Sequence, residues 1–210
     1  MARPRAAETL KRTRIQREKE DRILEAALEV FSVHGFRGST LDQIASAADM
    51  SKPNLLYYFR TKEAIHRLLI DRLLDTWLDP LRAIQAEGDP LSEISSYIRR
   101  KLEMARDYPR EGRLFTNEIL RGAPHIQDEL RDLKKLVDEK STIMRGWMKD
   151  GRLAECDPHH LIFSIWATTQ HYADFDVQVR AVLGPEKAGE GRFDDAARYL
   201  KKLFLEGLKP

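Results

Sequence analysis

Apolar residues along this chain return every three or four positions and do not alternate in twos, the signature of amphipathic helices rather than strands. Between Arg17 and His34, Ile23, Ala26, Ala27, Val30 and Phe31 share one helical side, and Gly35 sits where a left-handed residue ends many helices. Leu41, Ile44, Ala45 and Ala48 repeat the spacing over a shorter stretch, opened by Thr40 with Gln43 three residues on, a capping-box pattern. Asp49-Met50 carries a turn, Ser51 caps the next helix, and Pro53 lies in its first turn, where a missing N–H costs little. Leu55, Leu56 and Phe59 are that helix's inward anchors. Thr61 caps a long helix from Lys62 to about Ala86, bent near Pro80. Gly88-Asp89-Pro90 breaks it, and Asp89 caps a helix to Asp107. Helices follow over Arg110 to Arg121, Ile126 to Lys149, Asp157-Pro158 to Leu183, and Phe193 to Leu208. The sum is an all-α chain of about nine helices.

Residues 40 to 59 form two short helices around a tight turn, the form of a helix-turn-helix. Once the apolar positions of the second helix are assigned inward, Lys52, Asn54, Tyr57 and Tyr58 are left over. Lysine and tyrosine suit phosphates, and asparagine suits phosphates or an adenine edge. Lys62 begins the following helix, where a cation opposes the macrodipole, so an external anionic partner is expected. The expected DNA-contacting set is Thr40, Ser51, Lys52, Pro53, Asn54, Tyr57, Tyr58 and Lys62. A chain of 210 residues, 42% hydrophobic, has enough apolar surface to bury a core. Its net charge of +2 is unevenly spread. Ahead of Glu18, Arg3, Arg5, Lys11, Arg12, Arg14 and Arg17 face only Glu8, which reads as a basic flexible arm suited to phosphates or a minor groove. No apolar run approaches the roughly 20 residues needed to span a bilayer. A single cysteine, Cys156, allows no internal disulfide, so a cytoplasmic location is expected.

The block from Ile15 to Ile70, with the run AALEVFSVHGFRGSTLDQIASAADMSKPNLLYYFRTKEAI, resembles the TetR family of one-component repressors. That resemblance implies a basic arm over 1–14, a three-helix DNA-binding domain over 15–60, and a helical ligand-binding and dimerisation domain over 61–210. It also implies a homodimer, built through the last two helices with Leu161, Ile162, Ile165, Leu200, Leu203 and Phe204, on double-stranded operator DNA. Within the family, the segments YIRRKLEMARDYP, RLFTNEILRGAP, LVDEKSTIM and DPHHLIFSIWATTQHYADFDVQV look like regulators of pyrimidine utilisation. This narrower likeness implies a repressor of a pyrimidine catabolism operon, released by uracil or thymine, with no cofactor.

The residues offer a matching chemistry. Trp166 and Gln170 lie four apart on one helix face, Trp77 falls on the fourth helix, and Phe115 and Glu118 fall on the sixth. An indole face stacks on a flat heteroaromatic ring. A glutamine amide places a donor beside an acceptor, complementing a lactam edge, and a buried carboxylate such as Glu118 could accept from a remaining ring N–H. Tryptophans at helical spacing also serve as plain core. His171 with Asp174, and Asp157 with His159 and His160, are loose clusters without a zinc-site spacing, so no metal is expected. No nucleophile–base pair marks an enzyme. A regulator of the same fold answering an unrelated small molecule, and an effector-independent DNA-binding protein, remain open at this point.

Overall fold

The structure, a computed structural model, describes residues 14–210. The arm residues Arg3, Arg5, Lys11 and Arg12 lie outside the described residues. Ten helices and no strands occur among the described residues: α1 (Arg14–Gly38), α2 (Leu41–Ala47), α3 (Lys52–Tyr58), α4 (Lys62–Arg82), α5 (Pro90–Asp107), α6 (Pro109–Leu120), α7 (Gln127–Lys149), α8 (Pro158–Asp174), α9 (Asp176–Leu183) and α10 (Arg192–Glu206). The chain divides into two compact units, one ending at His66 and the other running from Arg67 to Pro210.

In the first unit, the α1 residues Ile23, Ala26, Ala27, Val30 and Phe31 are buried, as the periodicity predicts. Gly35, at φ 65° and ψ 172°, interrupts the helix and turns the chain towards α2. The capping box at α2 is complete: the Gln43 N–H donates to Thr40 Oγ1, and the Thr40 N–H donates to Gln43 Oε1 at 2.8 Å. Ile44, Ala45 and Ala48 are buried. Asp49, at φ 50°, makes the turn, and its carboxylate is held by Arg22 at 2.8 Å. Ser51 then caps α3 by accepting from the Asn54 N–H. Leu55 and Phe59 anchor α3 as expected, but Leu56 is 36% exposed. On so short a helix, Leu55 and Phe59 are one turn apart and take the inward face, which turns Leu56 outward.

The second unit is built around α5, on which α6, α8 and α10 pack, while α8 also meets α7 and α9. Ile94, Tyr97, Ile98, Leu102 and Ala105 of α5 bury with Trp147 of α7, Ile162 and Ile165 of α8, and Phe193 and Leu200 of α10. Two element boundaries depart from the sequence pattern. The fourth helix stops at Arg82, because the carbonyls that follow are taken by side chains of α7: Lys140 donates to Ile84 O at 3.1 Å and Trp147 Nε1 to Ala86 O at 2.8 Å. The single helix expected over 158–183 is two, separated at Phe175 (φ −111°, ψ 27°). No proline or glycine lies there. Instead Asp174 accepts hydrogen bonds from Thr116 and Gln170, and Asp176 pairs with Arg192 at 2.7 Å, so two side chains on either side of Phe175 are held by different partners.

Alanine at Gly35 must adopt a positive φ, a strain of roughly 1–3 kcal/mol. Gly35→Ala is expected to lower the urea midpoint accordingly, and an unchanged midpoint would show that the chain turns equally well without glycine.

Candidate functional site

Two regions carry candidate chemistry. In the N-terminal unit, Thr40, Ser51, Lys52, Pro53 and Asn54 are exposed, Tyr57 is 73% exposed, and Tyr58 is half-buried with its ring 5.1 Å from that of Tyr57. A solvated polar and aromatic surface on α3 beside the cap of α2 fits phosphate and base-edge contacts. Lys52 is tied to Asp42 at 2.8 Å, an exposed pair of small net strength that a phosphate could displace. Lys62 differs from the expectation of an external anionic partner. Its ammonium lies inside the head, donating to Phe36 O and Ser39 O, each at 2.6 Å, and sitting 4.4 Å from the Phe36 ring centre. The Phe36 and Ser39 carbonyls at the end of α1 supply the negative potential that the N-terminus of α4 does not.

In the C-terminal unit, a cavity of about 170 Å³ is lined by Trp77, Phe115 and Trp166, by the aliphatic Leu74 and Leu78, and by Lys101, Thr116 and Gln170. It therefore gathers Trp77, Phe115, Trp166 and Gln170. A cavity of roughly 150 Å³ takes a benzene ring, so this one has the size for a single six-membered ring. Trp166 Nε1 donates to the buried Tyr97 hydroxyl, which holds the indole plane, and burial pushes the Tyr97 phenol well above its usual range. Gln170 Nε2 donates to Asp174 Oδ1 at 3.0 Å, and Thr116 Oγ1 donates to Asp174 Oδ2 at 2.9 Å, so the amide is oriented and keeps its carbonyl and second N–H for a ligand. A Cβ on Gly112 of α6 would lie 3.0 Å from Gln170 Nε2 and 3.6 Å from the Trp77 ring, so glycine here gives those side chains room.

Glu118 does not join this group. It is buried away from the cavity lining and accepts from the His125 backbone N–H at 2.9 Å, with His125 Nδ1 at 3.2 Å. Its carboxylate is taken by His125, and it holds the 121–126 turn. His171 stacks on Phe175 at 4.9 Å between ring centres, while Asp174 faces Thr116 and Gln170. Leu161, Ile162, Ile165 and Leu200, expected at a dimer seam, lie instead in the core of their own unit. Leu203 is exposed, and Phe204 is only partly buried. Exposed along one row of α8 and its C-cap are Phe163, Ala167, His171 and Phe175, four apart, and Tyr199 and Leu203 repeat that spacing on α10.

The profile of the tetR family of bacterial regulatory proteins matches residues 23–68, and that of the C-terminal region of YcdC-like protein matches residues 70–210. The chain belongs to the TetR family. The HTH-type transcriptional regulator RutR of Escherichia coli strain K12 is 50% identical over 203 residues, 96% of either chain. A TetR-like transcriptional regulator from Rhodococcus sp. RHA1 superposes with a TM-score of 0.67 at 19% identity, covering 90% of this chain and 94% of that one. AibR in complex with isovaleryl coenzyme A and operator DNA does so with a TM-score of 0.65 at 17% identity, covering 88% and 97%. At those identities the two structures share the fold. This TetR-family protein is therefore a helix-turn-helix DNA-binding transcriptional regulator and not an enzyme, and no helix among its described residues is long and apolar enough to cross a membrane.

The cavity of this TetR-family regulator also includes Lys101, which the aromatic and amide pattern of the sequence does not single out. Lys101, 5% exposed, sits on α5 with its Nζ 4.9 Å from the Trp77 ring centre. Its signal was available: a charged residue within the stripe Ile94, Tyr97, Ile98, Leu102, Ala105. Burial lowers its pKa to about 7, with the Asp174 carboxylate pulling the other way. The unfolded chain binds this proton up to the ordinary lysine pKa, whereas the folded chain releases it near 7. The charge thus destabilises the fold fully below about pH 7, and the penalty fades as pH rises towards that of a free lysine. Lys101→Met is expected to stabilise the protein by a few kcal/mol at pH 6 and by much less at pH 10; thermal melts with no pH-dependent gain would place the amine in a better solvated site.

Proposed function

We propose that this regulator is a homodimeric repressor of a pyrimidine catabolism operon, released from its operator by uracil or thymine. The observation that carries the effector assignment is the ring-sized cavity, walled by Trp77, Phe115 and Trp166 and edged by the Gln170 amide. Indole faces stack on a flat ring, and the remaining donor and acceptor of Gln170 match a lactam edge. The extensive identity with RutR, and the resemblance of the α5 to α9 segments to regulators of pyrimidine utilisation, support the same reading. A larger acyl or drug-like effector is disfavoured by the cavity's volume.

The DNA-facing set is Thr40, Ser51, Lys52, Pro53, Asn54, Tyr57 and Tyr58, with Lys62 bracing the head from within. Two copies are required, because a helix-turn-helix protein reads a two-fold operator with recognition helices about 34–36 Å apart for adjacent turns. The exposed rows on α8 and α10, with Phe163, Phe175, Tyr199 and Leu203, supply the apolar surface for that pairing. Release is a population shift between dimer states that differ in operator affinity, and a few kcal/mol of differential ligand affinity moves it. The helix α4 is the coupling element, since it carries Lys62 at one end and Trp77 on the cavity wall. By linkage, operator DNA weakens effector binding by the factor with which effector weakens DNA binding.

Titration calorimetry of the dimer is expected to show micromolar binding of uracil or thymine and none of cytosine, with the bound pyrimidine releasing operator DNA in a mobility-shift assay. Trp166→Ala should keep operator binding and lose that release. No heat from either pyrimidine would redirect the effector search to other planar or apolar metabolites while the DNA role stands. On the DNA side, Lys52→Ala should reduce the slope of log affinity against log salt by about 1. Lys62→Ala should destabilise the head and weaken operator binding without changing that slope; a flattened slope would give Lys62 a phosphate.

A further inference from the structure

Hydrophobic burial alone would place a leucine where Lys101 stands. The residue occupies the apolar stripe of α5, is almost wholly buried, and lines the cavity with its Nζ over the ring of Trp77, another lining residue. No described residue accepts a hydrogen bond from its Nζ; the amine sits 4.9 Å from the Trp77 ring centre, and Asp174 acts on it only at longer range. A buried amine without an acceptor is costly, and such groups concentrate where a ligand completes them. The oriented amide of Gln170 is a second hydrogen-bonding group with spare capacity among the lining residues.

We propose that Lys101 is the specificity-determining residue of the cavity: its ammonium donates a charge-assisted hydrogen bond to a ring carbonyl oxygen of the effector, so that Gln170 and Lys101 together select a dioxo ring. The inference rests on the pyrimidine reading above. Uracil and thymine each offer one oxygen within a lactam edge for the amide and a second for the ammonium. Cytosine has an amino group in place of one oxygen, which sets a donor against a donor. A site built to bond a polar group rejects the analogue lacking it far more strongly than apolar packing could.

The bond also moves a proton. Burial lowers the Lys101 pKa to about 7, and a carbonyl on its Nζ favours the charged form. Among the groups around it, Asp174 on α8 carries charge. Trp77 on α4, with Phe115 and Thr116 on α6, presents uncharged groups, Glu118 is engaged with His125, and Tyr97 on α5 stays a neutral phenol. Effector affinity should therefore fall as pH rises above about 7, by up to tenfold per pH unit, each complex taking up as much as one proton.

The test is calorimetry with uracil and cytosine at pH 8, in two buffers of different ionisation heat, on the wild type and on Lys101→Met. Wild type should bind uracil with proton uptake, read from the difference in heat between buffers. Lys101→Met, with its fold and operator binding confirmed, should lose at least tenfold in uracil affinity, much of its discrimination against cytosine, and the buffer dependence. Equal uracil affinity in the two proteins, or no proton uptake by the wild type, overturns the assignment of Lys101 and leaves the pyrimidine reading intact. Failure of the wild type to bind uracil at all overturns that reading and this inference with it.

Discussion

Burial of the α5 stripe is the constraint on which the C-terminal unit depends. Ile94, Ile98, Leu102 and Ala105 are withdrawn from water by helices packed around α5. Each fully buried aliphatic side chain contributes about 1.5–3 kcal/mol, so the stripe commits α5 to the centre of the unit. The same commitment carries Lys101 inward with it. Helical spacing leaves no choice: a side chain between Ile98 and Leu102 on that face goes where they go. The unit tolerates the charge because the Trp77 ring faces it and the cavity begins there.

The other polar groups of the cavity are held by one carboxylate. Asp174 ends α8, accepts from Thr116 on α6 and from Gln170 one turn earlier, and so fixes the amide relative to the aromatic wall. Tyr97 does the same for Trp166 from α5. On the proposed reading, groups that are already oriented lose little freedom when the effector binds, which favours affinity for a ligand with few atoms. The packing that stabilises the unit and the preorganisation of the cavity are thus one set of contacts.

In the N-terminal unit, short helices are held by their ends. A seven-residue helix is marginal alone, and α2 and α3 are each that long. Capping at Thr40 and Ser51, the Arg22–Asp49 pair across the turn, and Lys62 on the carbonyls of Phe36 and Ser39 satisfy polar groups that the short helices cannot satisfy themselves. With Leu55 and Phe59 anchored, the rest of α3 is left to solvent and, on the proposed reading, to DNA.

Much of this was written locally in the chain. Helix class, the caps at Thr40, Ser51 and Asp89, the glycine stop at Gly35 and the inward face of α1 follow from spacing and short-range chemistry, because each is settled within a turn or two of backbone. Trp77, Phe115, Trp166 and Gln170 could be named as cavity candidates because the resemblance to regulators of pyrimidine utilisation gave their aromatic and amide chemistry a ligand to match; spacing alone left them equally readable as core. The fate of individual polar side chains was decided by neighbours distant in sequence. Glu118 turned to His125, Lys62 to the carbonyls after α1, and Asp174 and Asp176 to separate partners that divide one expected helix into two. Leu161, Ile162, Ile165 and Leu200 went to their own core rather than to an outer face. Periodicity shows which side of a helix is apolar, but only tertiary packing decides which other helix that side meets and which acceptor a buried charge finds.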